Sequence, residues 1–190
     1  MSMTLAYDVF APIGRRTATD LPEVPRVRSL NGKKVAFVWD LLFSGDVMME
    51  VIERKLTGRF PDIEFVGHEN FENIHGVDEI RVVEELPAKL KDLGVDAAIV
   101  GVGACGSCTP AVMRAVAEIE AFGIPAVGLL SDGFARQGAA IARARGLQNP
   151  RIATYPGVIL ADDELTLRSK SAEFLYPAVE TGLLAASVDV

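Results

Sequence analysis

The sequence is short of the residues that most often announce chemistry, with two cysteines, two histidines and one tryptophan among 190 residues. His68 and His75 close a four-ligand zinc site with Cys105 and Cys108 only if both converge on the cysteine pair, so no metal centre is expected. Basic charge is also scarce. Nineteen Lys plus Arg stand against 26 Asp plus Glu, a net charge of −7, the wrong sign for gathering phosphate backbones by counterion release. Nucleic acid is therefore not an expected partner. Arg54, Lys55, Lys89, Lys91, Arg143 and Arg145 fall along expected helix faces, where solvation and local pairing are their usual roles. No long apolar run exists either. The longest nearly uncharged stretch, residues 97 to 104, is far below the roughly 18 residues of a membrane helix, so no membrane partner is expected. Residues 1 to 8 show neither a basic leader nor a clean apolar stretch, and the expected compartment is the cytoplasm.

What is present is a 49% apolar chain, long enough for one α/β domain with a sizeable core. Residues 1 to 33 carry Pro12, Pro22, Pro25, Arg15, Arg16 and Asn31-Gly32 without a sustained apolar period, and are expected to form an irregular arm ending in a turn. From Lys34 onward, to residue 190, short apolar runs alternate with amphipathic stretches, the pattern of parallel βαβ units. Strands are expected at Val35 to Trp39, Ile63 to Val66, Ala97 to Gly101, Ala126 to Leu130 and, more weakly, Ile152 to Thr154. Helices are expected at Asp46 to Leu56, Val77 to Leu93, Pro110 to Phe122 and Phe134 to Arg145, with Gly94, Gly123 and Gly146 as left-handed caps. A last helix from Leu165 to Leu184 should loosen near Pro177.

These elements fit a three-layer, doubly wound parallel sheet of about five strands, flavodoxin-like or Rossmann-like, with strand order 2-1-3-4-5. The switch point then lies between strands one and three, and ligands bind beyond the strand ends there. Both cysteines fall in the loop after strand three, Gly101-Val-Gly-Ala-Cys-Gly-Ser-Cys-Thr-Pro. Thr109 with Pro110 resembles a helix start, which would set Cys108 and Cys105 beside the positive end of a helix dipole and lower a thiol pKa. The C-x-x-C spacing allows a reversible disulfide or a shared metal, and the same small residues also suit simple packing of a tight loop. Gly101, Gly103 and Gly106 match G-x-G-x-x-G, but after the third strand and without a ribose-binding acid, which leaves nucleotide binding poorly supported. No cofactor is expected; flavin lacks a Ser/Thr-rich phosphate loop after strand one.

Gly103-Ala-Cys-Gly-Ser-Cys-Thr-Pro-Ala-Val, with Gly123-Ile-Pro-Ala-Val, Phe134 and Gly146, resembles the UGSC family of thiol proteins and selenoproteins over residues 35 to 159. The first motif position there is selenocysteine or cysteine. The resemblance implies a nucleophilic, redox-capable sulfur at Cys105 with Cys108 as its resolving partner. Asp40, closing strand one, is a candidate to orient substrate or take a proton, or else a turn-forming carboxylate. Gly103, Gly106, Ser107, Thr109, Ser131 and Asp132 are candidate substrate-binding positions, with Asp132 also suited to capping. His68 and His75 follow the outer second strand and are expected to be solvated loop residues. Tyr155 either presents a hydroxyl to the site or packs at its rim.

The expected function is that of a small thiol-dependent enzyme, a CxxC oxidoreductase acting on a small molecule, peroxide or disulfide. Gly-x-Gly-x-Cys at a strand end also resembles one lobe of the aspartate/glutamate racemase superfamily, which implies a cofactor-free thiol racemase, isomerase or lyase. A third reading is a flavodoxin-like partner subunit with a redox switch. The expected partners are a small-molecule substrate and a second chain, either its own copy or another subunit.

Overall fold

The structure is a computed structural model that describes residues 18–185. Five strands form one parallel sheet: β1 (Lys34–Trp39), β2 (Glu64–Val66), β3 (Ala97–Gly103), β4 (Ala126–Ser131) and β5 (Arg151–Tyr155). Their order is β2-β1-β3-β4-β5, the order the alternating pattern implies. Six α-helices accompany them: α1 (Gly45–Arg59), α2 (Glu79–Asp92), α3 (Cys108–Ala121), α4 (Ala135–Ala144), α5 (Glu164–Lys170) and α6 (Tyr176–Leu183).

The apolar runs of the central strands are continuous because both faces of the sheet are covered, and successive side chains point to opposite faces. Val35, Phe37, Ile99 and Leu129 pack with Met48, Ile52 and Leu56 of α1 and with Leu175, Val179 and Leu183 near the C-terminus. Ala36, Val38, Val100 and Leu130 pack on the other side with Leu86 and Leu90 of α2, Val112 and Val116 of α3, and Ala142 of α4. The helices therefore cover the sheet as two outer layers, and every strand delivers its C-terminal end to one common edge.

Gly94, Gly123 and Gly146 do take left-handed φ angles after α2, α3 and α4. At Gly146 a side chain would be refused twice, since the φ of 95° disfavours L residues and a Cβ would run into Thr19 O of the arm. The last helical segment loosens as expected, by widening rather than breaking. A π-helical turn at Ser171–Leu175 joins α5 to α6 without a break, and Pro177, which has no amide hydrogen to donate, follows directly after it.

The described part of the arm, residues 18 to 33, is irregular and stitched down at intervals. Leu21 N donates to Gly146 O at 3.0 Å, Val27 forms a lone parallel bridge with Leu184, and Arg26 pairs with Glu120 of α3 at 2.5 Å. The expectations for Pro12, Arg15 and Arg16 lie outside the described residues.

Candidate functional site

Asp40 terminates β1 and is only 1% exposed. Its backbone N–H donates to Gly101 O at 2.9 Å, and its Oδ1 accepts from Val102 N at 2.7 Å and, more weakly, from Leu42 N at 3.4 Å. The β3–β4 register shifts between Val100 and Gly103, where three steps of β3 span two of β4. Such a bulge re-aims the backbone locally, and here the Val102 amide meets Asp40. Burial pushes the Asp40 carboxyl up to about 6, against the pull of its backbone donors, and Oδ2 has no hydrogen-bond partner. Asp40 thus ties the ends of β1 and β3 together from beneath.

The loop above it carries three non-glycine residues in left-handed conformation, Leu41, Phe43 and Ser44, each near φ 51° to 58°. Such conformations cost on the order of 1 kcal/mol or more apiece and persist where the surroundings fix them. Here the indole of Trp39 donates to Leu42 O at 2.8 Å and pins the loop.

Cys105 and Cys108 form a disulfide. Cys105 is half-buried and Cys108 fully buried, so the pair offers one sulfur to the outside. Cys108 N donates to Cys105 Sγ at 3.0 Å, and Thr109 N donates to Cys105 O at 3.2 Å. These bonds engage the first two amides of α3, which correct the expected helix start. The helix begins at Cys108 with Ser107 in the cap position, rather than at Pro110 with Thr109 capping. Thr109 is instead fully buried with an unpartnered hydroxyl, lying where a Cβ on Gly103 would come within 3.0 Å of its Cα. Gly103 is buried beside it, whereas Gly106 and Ser107 are exposed on the loop.

His75 is the residue that sequence reasoning misplaced. The connection from β2 to α2 brings it to the cysteine loop, with Nε2 3.2 Å from Ser107 Oγ and Nδ1 3.0 Å from Glu79 Oε2. Glu79 in turn accepts from Arg114 of α3 through Oε1 at 3.1 Å. Ser107 Oγ also lies 3.5 Å from Cys105 Sγ. Four side chains therefore run in a line, Glu79 to His75 to Ser107 to Cys105. His75 lies in the turn just before α2 and meets Glu79, the first residue of that helix, a contact set by the path of the connection rather than by a helical period. His68 does not join them; it packs edge-on against Trp39 with ring centroids 4.9 Å apart.

Ser131 and Asp132 stand at the end of β4. Ser131 is buried and donates to Gly157 O at 2.8 Å, joining the loops after β4 and β5. Asp132 is exposed in a short 3-10 turn and makes no side-chain cap bond, which corrects the capping expectation; Ser131 holds that position. Tyr155 is fully buried and its hydroxyl donates to Asp162 Oδ2 at 2.6 Å, which settles it as packing rather than a group offered to substrate.

Beside Ala104, the neighbour of Cys105, a small pocket of about 70 Å³ is lined by Phe43, Ala104, Ser131, Phe134, Val158, Ile159 and Leu160. A larger open cleft of about 370 Å³ lies between α1 and β2 and holds neither sulfur. Among the described residues no three His, Cys, Asp or Glu side chains gather as a metal site, and no helix is long and apolar enough to cross a membrane.

With this geometry in view, a family model described as the UGSC family matches residues 8–184. The chain belongs to the UGSC family. No curated protein matches it. Family membership and the close cysteine pair are both compatible with thiol chemistry.

Proposed function

We propose that this UGSC-family protein is a CxxC thiol oxidoreductase in which Cys105 attacks a small peroxide or disulfide and Cys108 resolves the product. The observation that carries this reading is the asymmetry of the pair: the two sulfurs are within bonding reach, yet only Cys105 meets the outside. The Cys108 amide, the first of α3, donates to Cys105 Sγ at 3.0 Å, and a thiolate at a helix N-terminus is stabilised.

With a peroxide, the Cys105 thiolate takes one oxygen, the O–O bond breaks and the alkoxide leaves as an alcohol after protonation. Cys108 then attacks the sulfenic sulfur, the S–O bond breaks and water leaves as the disulfide forms. With a disulfide, Cys105 forms a mixed disulfide and Cys108 expels the second thiol. Two equivalents of an external thiol return the two electrons in either case, the first forming a mixed disulfide and the second leaving with it as the external disulfide. The apolar pocket beside Ala104 favours a substrate with a small organic substituent.

Cys108→Ser should trap a mixed disulfide or a sulfenic acid on Cys105, while Cys105→Ser should consume no substrate. Both are read by intact mass after a stoichiometric dose of an organic hydroperoxide or a small disulfide. If the reduced wild type keeps two free thiols under that treatment, the reading fails.

A further inference from the structure

A thiol is a poor nucleophile until its proton leaves. We infer that Cys105 exchanges its proton with His75 through the hydroxyl of Ser107, with Glu79 and Arg114 holding the imidazole in place. This rests on Cys105 being the attacking sulfur.

Ser107 occupies the cap position of α3, where a serine ordinarily turns its hydroxyl onto the free amides of the first turn. It makes no such bond. Cys105 has taken both nearby donors, Cys108 N with its sulfur and Thr109 N with its carbonyl. The Ser107 hydroxyl is thereby left to bridge Cys105 Sγ at 3.5 Å and His75 Nε2 at 3.2 Å. Glu79 is likewise shared, one oxygen on Arg114 and the other on His75. Arg114 keeps Glu79 from swinging away, and the His75 backbone N–H donates to Asn73 Oδ1 at 2.8 Å, fixing the turn on which the ring sits.

In the reduced protein these contacts allow one consistent direction of donation. Cys105 S–H donates to Ser107 Oγ, Ser107 O–H donates to His75 Nε2, and His75 Nδ1–H donates to Glu79. A concerted shift then breaks the S–H bond as a new O–H forms, while the original serine proton passes to Nε2. The products are a thiolate and an imidazolium paired with Glu79, with no electrons exchanged. The reverse shift returns the proton when an external thiol reopens the disulfide. Ser107 touches the reacting sulfur; His75, acting through it, is a positioning and proton-holding residue, with a side chain 22% exposed and thus in exchange with water. The charged groups facing it are Glu79, Arg114 behind Glu79, and Asp40, whose carboxylate feels the imidazolium charge.

The test is the pH profile of Cys105 alkylation by iodoacetamide in the fully reduced full-length chain, read by peptide mass and independent of any substrate. Ser107→Ala and His75→Gln should each raise the apparent thiol pKa by about one unit, roughly a tenfold loss of thiolate below that pKa. Ser107→Thr, which restores a hydroxyl, should recover most of the wild-type profile. Variants are compared at matched circular dichroism and melting temperature, so that a folding defect is not scored as a change in proton transfer. A low wild-type pKa unmoved in both Ser107→Ala and His75→Gln overturns the relay while leaving thiol chemistry standing. A Cys105 that alkylates only at alkaline pH in the wild type overturns both.

Discussion

Two carboxylate–guanidinium pairs of α3 hold similar chemistry and put it to opposite uses. At the C-terminal end Glu120 is 2% exposed and accepts from Arg26 of the arm and from Ala126 N at 2.8 Å, tying arm, helix and β4 into one unit. On the other side, Arg114 at the middle of α3 pairs with Glu79 of α2 at a half-buried rim, and the second Glu79 oxygen holds a histidine that reaches the cysteine loop at the N-terminal end of α3. Both donors to Glu120 fall on Oε1 and its Oε2 is buried without a partner, so this carboxylate is closed to solvent and ties elements of the fold together. Glu79 instead shares its second oxygen with a partly exposed imidazole, the contact on which the proposed proton relay rests.

Glu120→Gln tests the buried pair and should have the largest effect. It leaves the Arg26 charge buried without its counterion, and breaking such a pair costs about 3–5 kcal/mol, measurable as a lower urea midpoint. A loss below about 1 kcal/mol would make the two pairs equivalent and the contrast would collapse.

Asp40→Asn comes next. The Asp40 pKa is raised in the folded state, from 3.8 to about 6, so between those values the folded chain binds the proton that the unfolded chain has released. The contribution of Asp40 to stability should therefore fall as pH rises through about 4 to 6, by an amount on the order of 3 kcal/mol, and stay flat above. Asparagine carries no such proton, and the difference between the two unfolding curves against pH should lose that slope.

Glu79→Gln should be the mildest for the fold, within about 1 kcal/mol, because its partners are partly solvated. Its signature should lie instead in the alkylation profile of Cys105, moved in the same direction as His75→Gln and by less. Large unfolding without a change in the thiol would reverse the assignment of the two pairs.

The legible parts of this protein are those in which neighbours along the chain decide the outcome. Short continuous apolar runs alternating with helical spacing marked the strands and helices, and five such strands pointed to the order of the sheet. Gly94, Gly123 and Gly146 marked helix ends because only glycine adopts those φ angles without strain. The cysteine loop was visible for the same reason, since Cys105 to Cys108 spans a single turn. The start of α3 was misjudged because the Thr109-Pro110 signal competes with a stronger one, the carbonyl and sulfur of Cys105 occupying the first amides.

The sequence by itself determined a parallel α/β architecture with a sulfur pair at the end of its third strand, because propensity, periodicity and loop chemistry act over a few residues. Only the tertiary structure decided which groups meet that pair. Asp40 reaches Val102 across 62 positions, Ser107 meets His75 across 32, and Arg26 finds Glu120 across 94. Those meetings follow from sheet register and from the path of the connection between β2 and α2, which are set when whole elements pack together and leave no periodic trace along the chain.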